Sequence, residues 1–258
     1  MTQASTAELS IRDNVATITI CGKARSNALG LSTLEAIIRI GEALRREDAL
    51  RLVILTGEGE RAFIGGADIY EMAEFDQVSA RNFITKVHHA NHMFRLLPVP
   101  SIARINGYCL GAGMETAAAC DLRIGSYNSM YGMPEVQVGL PSVVETTLFS
   151  RLIGEGKTRE LVYRGHLIDG AEALRIGFLQ KLVPPGELDA GMQPWIDDIL
   201  AADPAAIRAQ KRLMETWIDS GVGGGIIASI DALSGAFLTD APGKRLGAYV
   251  QRRKSRQH

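Results

Sequence analysis

The first 145 residues or so alternate between strand-like and helix-like segments, and this alternation constrains the fold more than any other feature of the chain. Two short alternating runs on either side of Asp13-Asn14 predict a hairpin. The pattern then predicts buried strands at residues 52–56, 101–105 and 122–125, and helices at 32–44, 80–97 and 111–120. Strands that alternate with helices imply an α/β fold in which the faces of the sheet are covered.

From about residue 145 onward the pattern becomes helical. It predicts helices at about 145–153, 157–163, 170–176, 189–201, 204–218, 222–238 and 243–253. No repeat and no low-complexity linker separates this part from the rest, so we expect the helical part to pack on the core.

Composition excludes several classes of function. With 258 residues, 46% hydrophobic and 22% charged, the chain is long and apolar enough for a large folded domain. A net charge of -1 gives no reason to expect nucleic acid or a membrane as partner, and no apolar run has the length of a membrane span. The three cysteines have no metal-ligand spacing, and the N-terminus lacks a signal-peptide pattern. We expect a cytoplasmic enzyme.

Two glutamates, Glu115 and Glu135, lie in apolar stretches of the sequence. Glu115 follows the glycine-rich run Asn106–Gly113, and Glu135 follows Tyr131-Gly132-Met133-Pro134. A carboxylate among apolar neighbours is costly unless it has a partner or a chemical role. Two such carboxylates in one pocket can move protons on and off carbon and water.

Two glycine-rich loop-to-helix transitions in this sequence are typical of a site where backbone N–H groups bind a ligand. The first is the run from Ala62 to Ile69, and the second runs from Gly107 to Glu115. Glycines let backbone N–H groups approach a ligand, and a helix N-terminus offers N–H groups with no intrahelical partner. Two converging N–H groups form an oxyanion hole. Each run alone is more simply an ordinary turn, but the two together with both glutamates favour a catalytic site.

The chain resembles the crotonase superfamily, the enoyl-CoA hydratases and isomerases. The matches extend over nearly the whole chain and keep their order. They are Ser26-Asn27-Ala28-Leu29, residues 52–57, Ala62-Phe63, residues 65–69, residues 106–113, Cys120-Asp121, Met133-Pro134-Glu135, residues 151–154, residues 171–174, Gly177 and Leu182-Val183-Pro184. The resemblance implies a crotonase-like ββα spiral core with an acyl-CoA site over residues 1–195, and a C-terminal helical part over 196–258 that assembles a homotrimer or a dimer of trimers.

The resemblance also implies roles for individual residues. The N–H groups of Ala67 and Ala112 would hold the thioester oxygen of an acyl-CoA, Glu115 would activate water, and Glu135 would handle the proton at the α-carbon. Ala24, Asp68 and Ile69 would join Ala67 in binding the CoA portion, with Tyr249 and Arg252 at the adenine end. Met130, Ser142 and Phe237 would line the acyl pocket. CoA enters as part of the substrate, so no separate cofactor and no metal is expected.

The segment after Glu135 departs from the family pattern, because its glycines are replaced in Gly139-Leu140-Pro141-Ser142-Val143-Val144-Glu145. Ser142 and Glu145 have capping-box spacing, and this predicts that they begin the next helix. The alternative is that Glu145 is a third carboxylate near the pocket that alters substrate choice or reaction. His88 and His92 have the i, i+4 spacing of some metal pairs, but no third ligand stands beside them.

The predicted reaction is addition of water to a 2-enoyl-CoA, because both glutamates are present. Isomerisation or dehydration of an acyl-CoA by the same family is the alternative. A non-catalytic binding protein on this fold, such as the family's RNA-binding relative, is disfavoured by the near-neutral charge. The C-terminus is basic (Lys244, Arg245, Arg252, Arg253, Lys254 and Arg256), either as a solvated tail or, through Arg252, as a contact for the phosphates of CoA.

Overall fold

The computed structural model describes residues 5–22 and 26–255. Its chain divides into two compact units, Met1–Asp197 and Asp198–His258. The predicted boundary at residue 195 falls inside a helix, α7 (Leu188–Ala201). The assembly role assigned to the second unit stays a prediction.

The larger sheet of the first unit has six strands in the order β1-β2-β3-β5-β7-β10. They are β1 (Thr6–Arg12), β2 (Val15–Cys21), β3 (Leu52–Gly57), β5 (Ser101–Ile105), β7 (Leu122–Ser126) and β10 (Lys181–Val183). The predicted hairpin is present: β1 pairs antiparallel with β2, and Asp13 and Asn14 take the positive φ values of 50° and 64° that a tight hairpin turn needs. Every other neighbouring pair is parallel.

A second, four-stranded sheet is made of three-residue strands that the sequence pattern did not predict. In spatial order they are β4 (Ala62–Ile64), β6 (Tyr108–Leu110), β8 (Met130–Gly132) and β9 (Leu167–Asp169). Strands β3, β5 and β7 of the large sheet each lead directly into β4, β6 and β8 of the small sheet, and a helical segment follows each time. This strand–strand–helix motif thus occurs three times in the first unit.

The helices of the first unit cover the sheets. They are α1 (Leu31–Leu44), α2 (Ile69–Met72), α3 (Gln77–Leu96), α4 (Ala112–Ala119), α5 (Phe149–Arg164), α6 (Gly170–Arg175) and α7, with 3₁₀ helices at Pro134–Val138 and Val144–Leu148. Side chains such as Leu34, Leu55 and Phe94 form one buried core. A capping box of Asp76 and Ser79 starts α3.

The single predicted helix at 145–153 is wrong in its first half. Residues Val144–Leu148 form a 3₁₀ helix, and the α-helix begins only at Phe149. The predicted break before the next helix is present, because Gly154 inside α5 has a non-helical φ of 77° that kinks the helix.

The second unit contains α8 (Pro204–Asp219), α9 (Gly221–Ala236) and α10 (Ala241–Lys254). Many of its large apolar side chains are exposed: Val222, Ile226, Ile227, Ile230, Leu233, Phe237, Leu238, Leu246, Tyr249 and Val250. An open cleft of ≈ 770 Å³ lies among these three helices. In the described part of the chain no single helix has the length and hydropathy of a membrane span, and only the pair α9–α10, bent by 80°, meets both criteria together.

Candidate active site

Helix α4 carries Glu115 in its first turn and is buried over its whole length. Its small residues allow this close packing. A Cβ on Gly113 would lie 2.2 Å from the carbonyl oxygen of Ile64, so only glycine lets α4 rest directly on the backbone of β4. The contact brings the start of α4 beside the segment that leads from β4 to Ala67. The two glycine-rich runs singled out in the sequence are therefore neighbours.

The two predicted oxyanion-hole donors are both placed at backbone positions suited to binding a ligand. Ala67 forms a parallel bridge with Leu29, in which the hydrogen bonds are donated by the N–H groups of Leu29 and Asp68. The N–H of Ala67 itself stays outside that bridge. Ala112 is the first residue of α4, so its N–H has no acceptor within the helix. Their role as oxyanion donors remains a prediction.

The residues after Ala67 start the short helix α2. The Asp68 carboxylate is the N-cap and accepts a hydrogen bond from the N–H of Tyr70 at 3.0 Å. Ile69 is exposed. The predicted contribution of these residues to CoA binding is untested, and Ala24 lies outside the described residues.

Glu115 is a buried acid, with only 3% of its surface exposed. Its pKa is raised to about 8, chiefly by burial and to a smaller extent by the charges of Glu135 and Glu145. The hydroxyl of Thr146 opposes this, since it donates to Glu115 Oε1 at 2.7 Å. A hydrogen bond from the backbone of Val143 also lowers the pKa. Glu115 is thus able to hold or release a proton near neutral pH.

Glu135 lies in the first 3₁₀ helix and reaches over the turn that begins α4. A Cβ on Gly111 would lie 2.3 Å from Glu135 Oε1, so the carboxylate occupies the space above that glycine. Gly111 has a φ of 50° that also favours glycine. Burial raises the pKa of Glu135, while a hydrogen bond donated by Ser142 to Oε2 at 2.9 Å lowers it. Both glutamates therefore meet at the N-terminus of α4.

The predicted capping box of Ser142 and Glu145 is wrong. The second 3₁₀ helix is preceded by Val143 and has no side-chain cap. Ser142 donates instead to Glu135, and Glu145 is 3% exposed with its carboxylate bonded to His88 and Asn91. The spacing would satisfy a local cap, but partners from other elements take both side chains. Glu145 lies close enough to Glu115 for its charge to raise the Glu115 pKa. The alternative interpretation, a third carboxylate that alters substrate choice or reaction, stays a prediction.

The remaining predicted residues are distributed as follows. Met130 is half-buried in β8, opposite Tyr108 of β6. Phe237, Tyr249 and Arg252 belong to the second unit, where all three are exposed. Their roles in binding stay predictions.

The two histidine rings stack on each other, and one of them contacts Glu145. His88 stacks on His92 with ring centroids 5.4 Å apart, and His88 Nδ1 is 2.6 Å from Glu145 Oε1. Across residues 5–22 and 26–255 no three or more His, Cys, Asp or Glu side chains are grouped to hold a metal ion.

Sequence reasoning singled out His88 for a metal pair and missed its contact with Glu145. It also missed three residues that contact this site or its supports: Asn91, Thr116 and Thr146. Nothing in their local sequence marks them. Each forms its contact with a residue far away in the chain, so no spacing rule detects it.

Comparison with known proteins agrees with this architecture. Residues 10–257 match the family described as Enoyl-CoA hydratase/isomerase. The chain is 33% identical to the short-chain-enoyl-CoA hydratase of Clostridium acetobutylicum, over 93% of this chain and 92% of that protein. It is 32% identical to the crotonyl-CoA hydratase of Syntrophomonas wolfei, over 89% and 88% of the two chains. The crystal structure of an enoyl-CoA hydratase from Bacillus anthracis superposes with a TM-score of 0.91, at 30% identity and 96% coverage of both chains.

Proposed function

Because this chain belongs to the enoyl-CoA hydratase/isomerase family, we propose that it catalyses the reversible addition of water to a short-chain 2-enoyl-CoA. The family resemblance and the crotonase-like fold predicted from the sequence are confirmed. One observation carries the choice of reaction. Two carboxylates with raised pKa, Glu115 and Glu135, meet beside the first N–H groups of α4.

In the proposed reaction the thioester oxygen accepts hydrogen bonds from the N–H groups of Ala67 and Ala112. Glu115 removes a proton from water as the water oxygen bonds to the β-carbon. The electron pair of the double bond moves to the thioester, and the enolate oxygen gains negative charge that the two N–H groups stabilise. Glu135 then protonates the α-carbon. The product carries OH on the β-carbon and H on the α-carbon.

The raised pKa values fit these roles. Glu135 must be protonated before it can donate, and burial keeps a larger fraction of it protonated at neutral pH. Glu115 acts in its ionised form, and a pKa of about 8 makes that form a stronger base than an ordinary carboxylate. In the proposed reaction the two carboxylates carry out the proton transfers and the N–H groups stabilise the enolate oxygen, so CoA enters as part of the substrate and no further cofactor takes part.

The substrate class follows from the relatives' names, which specify short-chain and crotonyl thioesters. The test is turnover of crotonyl-CoA by the pure protein, followed as loss of the conjugated thioester absorbance. Glu115→Gln and Glu135→Gln should each bind substrate and lose about 10²–10⁴-fold in kcat. Glu155→Gln makes the same chemical change at an exposed ion pair with Arg159 and should retain full activity.

The two single variants separate hydration from isomerisation. If Glu115→Gln turns over normally while Glu135→Gln does not, one base suffices, and double-bond isomerisation is the better assignment. Absence of turnover of crotonyl-CoA and of longer 2-enoyl-CoA thioesters by the wild-type protein would contradict the proposed reaction altogether.

We also propose that the protein assembles as a homotrimer or a dimer of trimers. The support is the row of exposed apolar side chains on α9 and α10, which is more than a free surface normally carries. Sedimentation equilibrium on the full chain measures the state directly, and a monomer at micromolar concentration would contradict the proposal.

A further inference from the structure

The segment from Ser142 to Thr146 contacts both glutamates of the proposed site. Ser142 donates to Glu135, and Thr146 donates to Glu115. The backbone of Val143 supplies a second hydrogen bond to Glu115. A single short stretch of chain thus orients both carboxylates, so whatever holds this stretch in place determines their geometry.

The backbone of this segment is strained at its centre. Val144 has a φ of 39°, in the left-handed region that a β-branched residue rarely adopts. Its side chain packs against the core. Residues in such conformations persist only where surrounding contacts hold them. The segment therefore requires an anchor close to Val144.

Glu145, the next residue, has the contacts of such an anchor. Both of its carboxylate oxygens are occupied: Oε1 is 2.6 Å from His88 Nδ1, and Oε2 accepts a hydrogen bond from Asn91 Nδ2 at 2.9 Å. The two partners lie one turn apart on α3. Because side chains of α3 engage both oxygens, the carboxylate is positioned to hold the chain.

The same network reaches α4. Asn91 Oδ1 accepts from the hydroxyl of Thr116 at 2.7 Å, and this hydroxyl is also 2.8 Å from the carbonyl oxygen of Ala112. The orientation of the Asn91 amide follows from these partners, since its NH₂ must face the carboxylate and its oxygen the hydroxyl. Asn91 and Thr116 are buried. The network thus connects α3, the second 3₁₀ helix and the helix that carries Glu115.

We propose that Glu145, held by His88 and Asn91, is a positioning residue that keeps Ser142 and Thr146 against the two catalytic glutamates. The proposal rests on the proposed function for its kinetic consequences, but its structural consequence can be measured independently. Residues 139–145, which replace the family's glycine-rich segment, thus have a positioning role in this proposal.

The comparison of Glu145→Gln with Glu145→Ala tests the anchor. Glutamine can keep both contacts. Its oxygen can accept from Asn91, and its NH₂ can donate to His88 Nδ1 when the imidazole carries its proton on Nε2. We expect Glu145→Gln to keep kcat within about fivefold, and Glu145→Ala to lose about 10- to 100-fold, as for removal of one buried hydrogen-bonded group. The KM for crotonyl-CoA should change little in either. Glu155→Ala is the exposed control and should match wild type.

A double-mutant cycle shows whether Glu145 acts through Thr146. If it does, Glu145→Ala combined with Thr146→Val loses no more in kcat than the worse single variant, since residues acting as one unit are not additive. Losses that multiply would overturn the proposal, as would a Glu145→Gln variant as inactive as Glu145→Ala. Either result would mean that the carboxylate acts by its own charge or proton.

Amide hydrogen exchange gives a readout that needs no turnover. Peptides covering residues 139–149 should exchange faster in Glu145→Ala than in wild type, and at the wild-type rate in Glu145→Gln. If Glu145→Ala does not fold, His88→Ala replaces it, because the side chain of His88 is 46% exposed and its removal leaves Asn91 in place. Unchanged exchange and unchanged kcat in a folded His88→Ala or Glu145→Ala protein would overturn the anchor. A wild-type protein that shows the exchange contrast but does not hydrate crotonyl-CoA would contradict the proposed function alone.

Discussion

Replacement of Thr146 by valine removes a single hydroxyl from the site. Thr146 is 8% exposed, and valine has nearly the same shape, so the packing is retained while the hydrogen bond to Glu115 Oε1 is lost. That bond stabilises the ionised carboxylate. A hydrogen bond to a charged group is worth roughly 1.5–3 kcal/mol, and one pKa unit corresponds to about 1.4 kcal/mol, so the pKa of Glu115 should rise by about one to two pH units.

The assay is the pH dependence of kcat/KM for crotonyl-CoA. In the proposed reaction Glu115 must be ionised and Glu135 protonated, so the profile has two limbs, and the limb that reports Glu115 should have its midpoint near the Glu115 pKa of about 8. In Thr146→Val the midpoint moves to higher pH, and the rate near pH 7 falls about tenfold for each pH unit of that movement.

Thr147→Val is the matched control. Thr147 lies in the same 3₁₀ helix, but its exposed hydroxyl donates to the carbonyl oxygen of Val144 and not to a glutamate. Its profile should coincide with that of wild type. A Glu115 limb that stays in place in Thr146→Val, or that moves to lower pH, would refute the assignment of Thr146 as the donor that lowers the pKa of Glu115.

Three further perturbations have defined outcomes. Ala112→Pro deletes one proposed oxyanion donor at a helix position where proline is tolerated. It should cost about 3–4 kcal/mol of transition-state stabilisation. Normal kcat in the folded variant would mean that the thioester oxygen binds elsewhere. Glu115→Gln should be more stable than wild type at alkaline pH. Because the pKa of Glu115 is raised from 4.5 to about 8 in the folded state, wild type loses stability, on the order of a few kcal/mol, as pH rises from 4.5 through 8. Equal pH dependence of Tm in both proteins would contradict the raised pKa. Arg252→Ala should raise KM for acyl-CoA through loss of the proposed phosphate contact, worth roughly 1.5–3 kcal/mol, with less effect on kcat. An equal loss on substrates with and without the 3′-phosphate would show that Arg252 is an assembly or solvent residue.

The sequence by itself determined the parts of this protein that depend on local periodicity or on a glycine at a fixed position. Strands β3, β5 and β7 are short segments rich in apolar residues, and the Asp13-Asn14 turn has residues that tolerate its positive φ values. The two glutamates, the glycine-rich runs beside them and the ordered matches along the chain identify the family from the sequence alone. These features are encoded within a few neighbouring residues, so they can be read directly.

Only the tertiary structure revealed the second sheet. Its strands have three residues each, which is too short for an alternating pattern to be distinguished from a loop. They form because β3, β5 and β7 bring their following residues side by side, and a hydrogen-bonded neighbour then stabilises each short extended stretch.

The role of Glu145 was likewise decided by the tertiary structure. Its local spacing from Ser142 predicted a cap, yet its carboxylate bonds to His88 and Asn91, which lie 57 and 54 residues earlier in the chain. Thr146 bonds to Glu115 across 31 residues. A buried carboxylate takes whichever donors the fold brings to it, because an unpaired charge in the interior is more costly than a lost helix cap. Which donors those are depends on how α3, α4 and the 3₁₀ helix pack, and no short stretch of sequence contains that information.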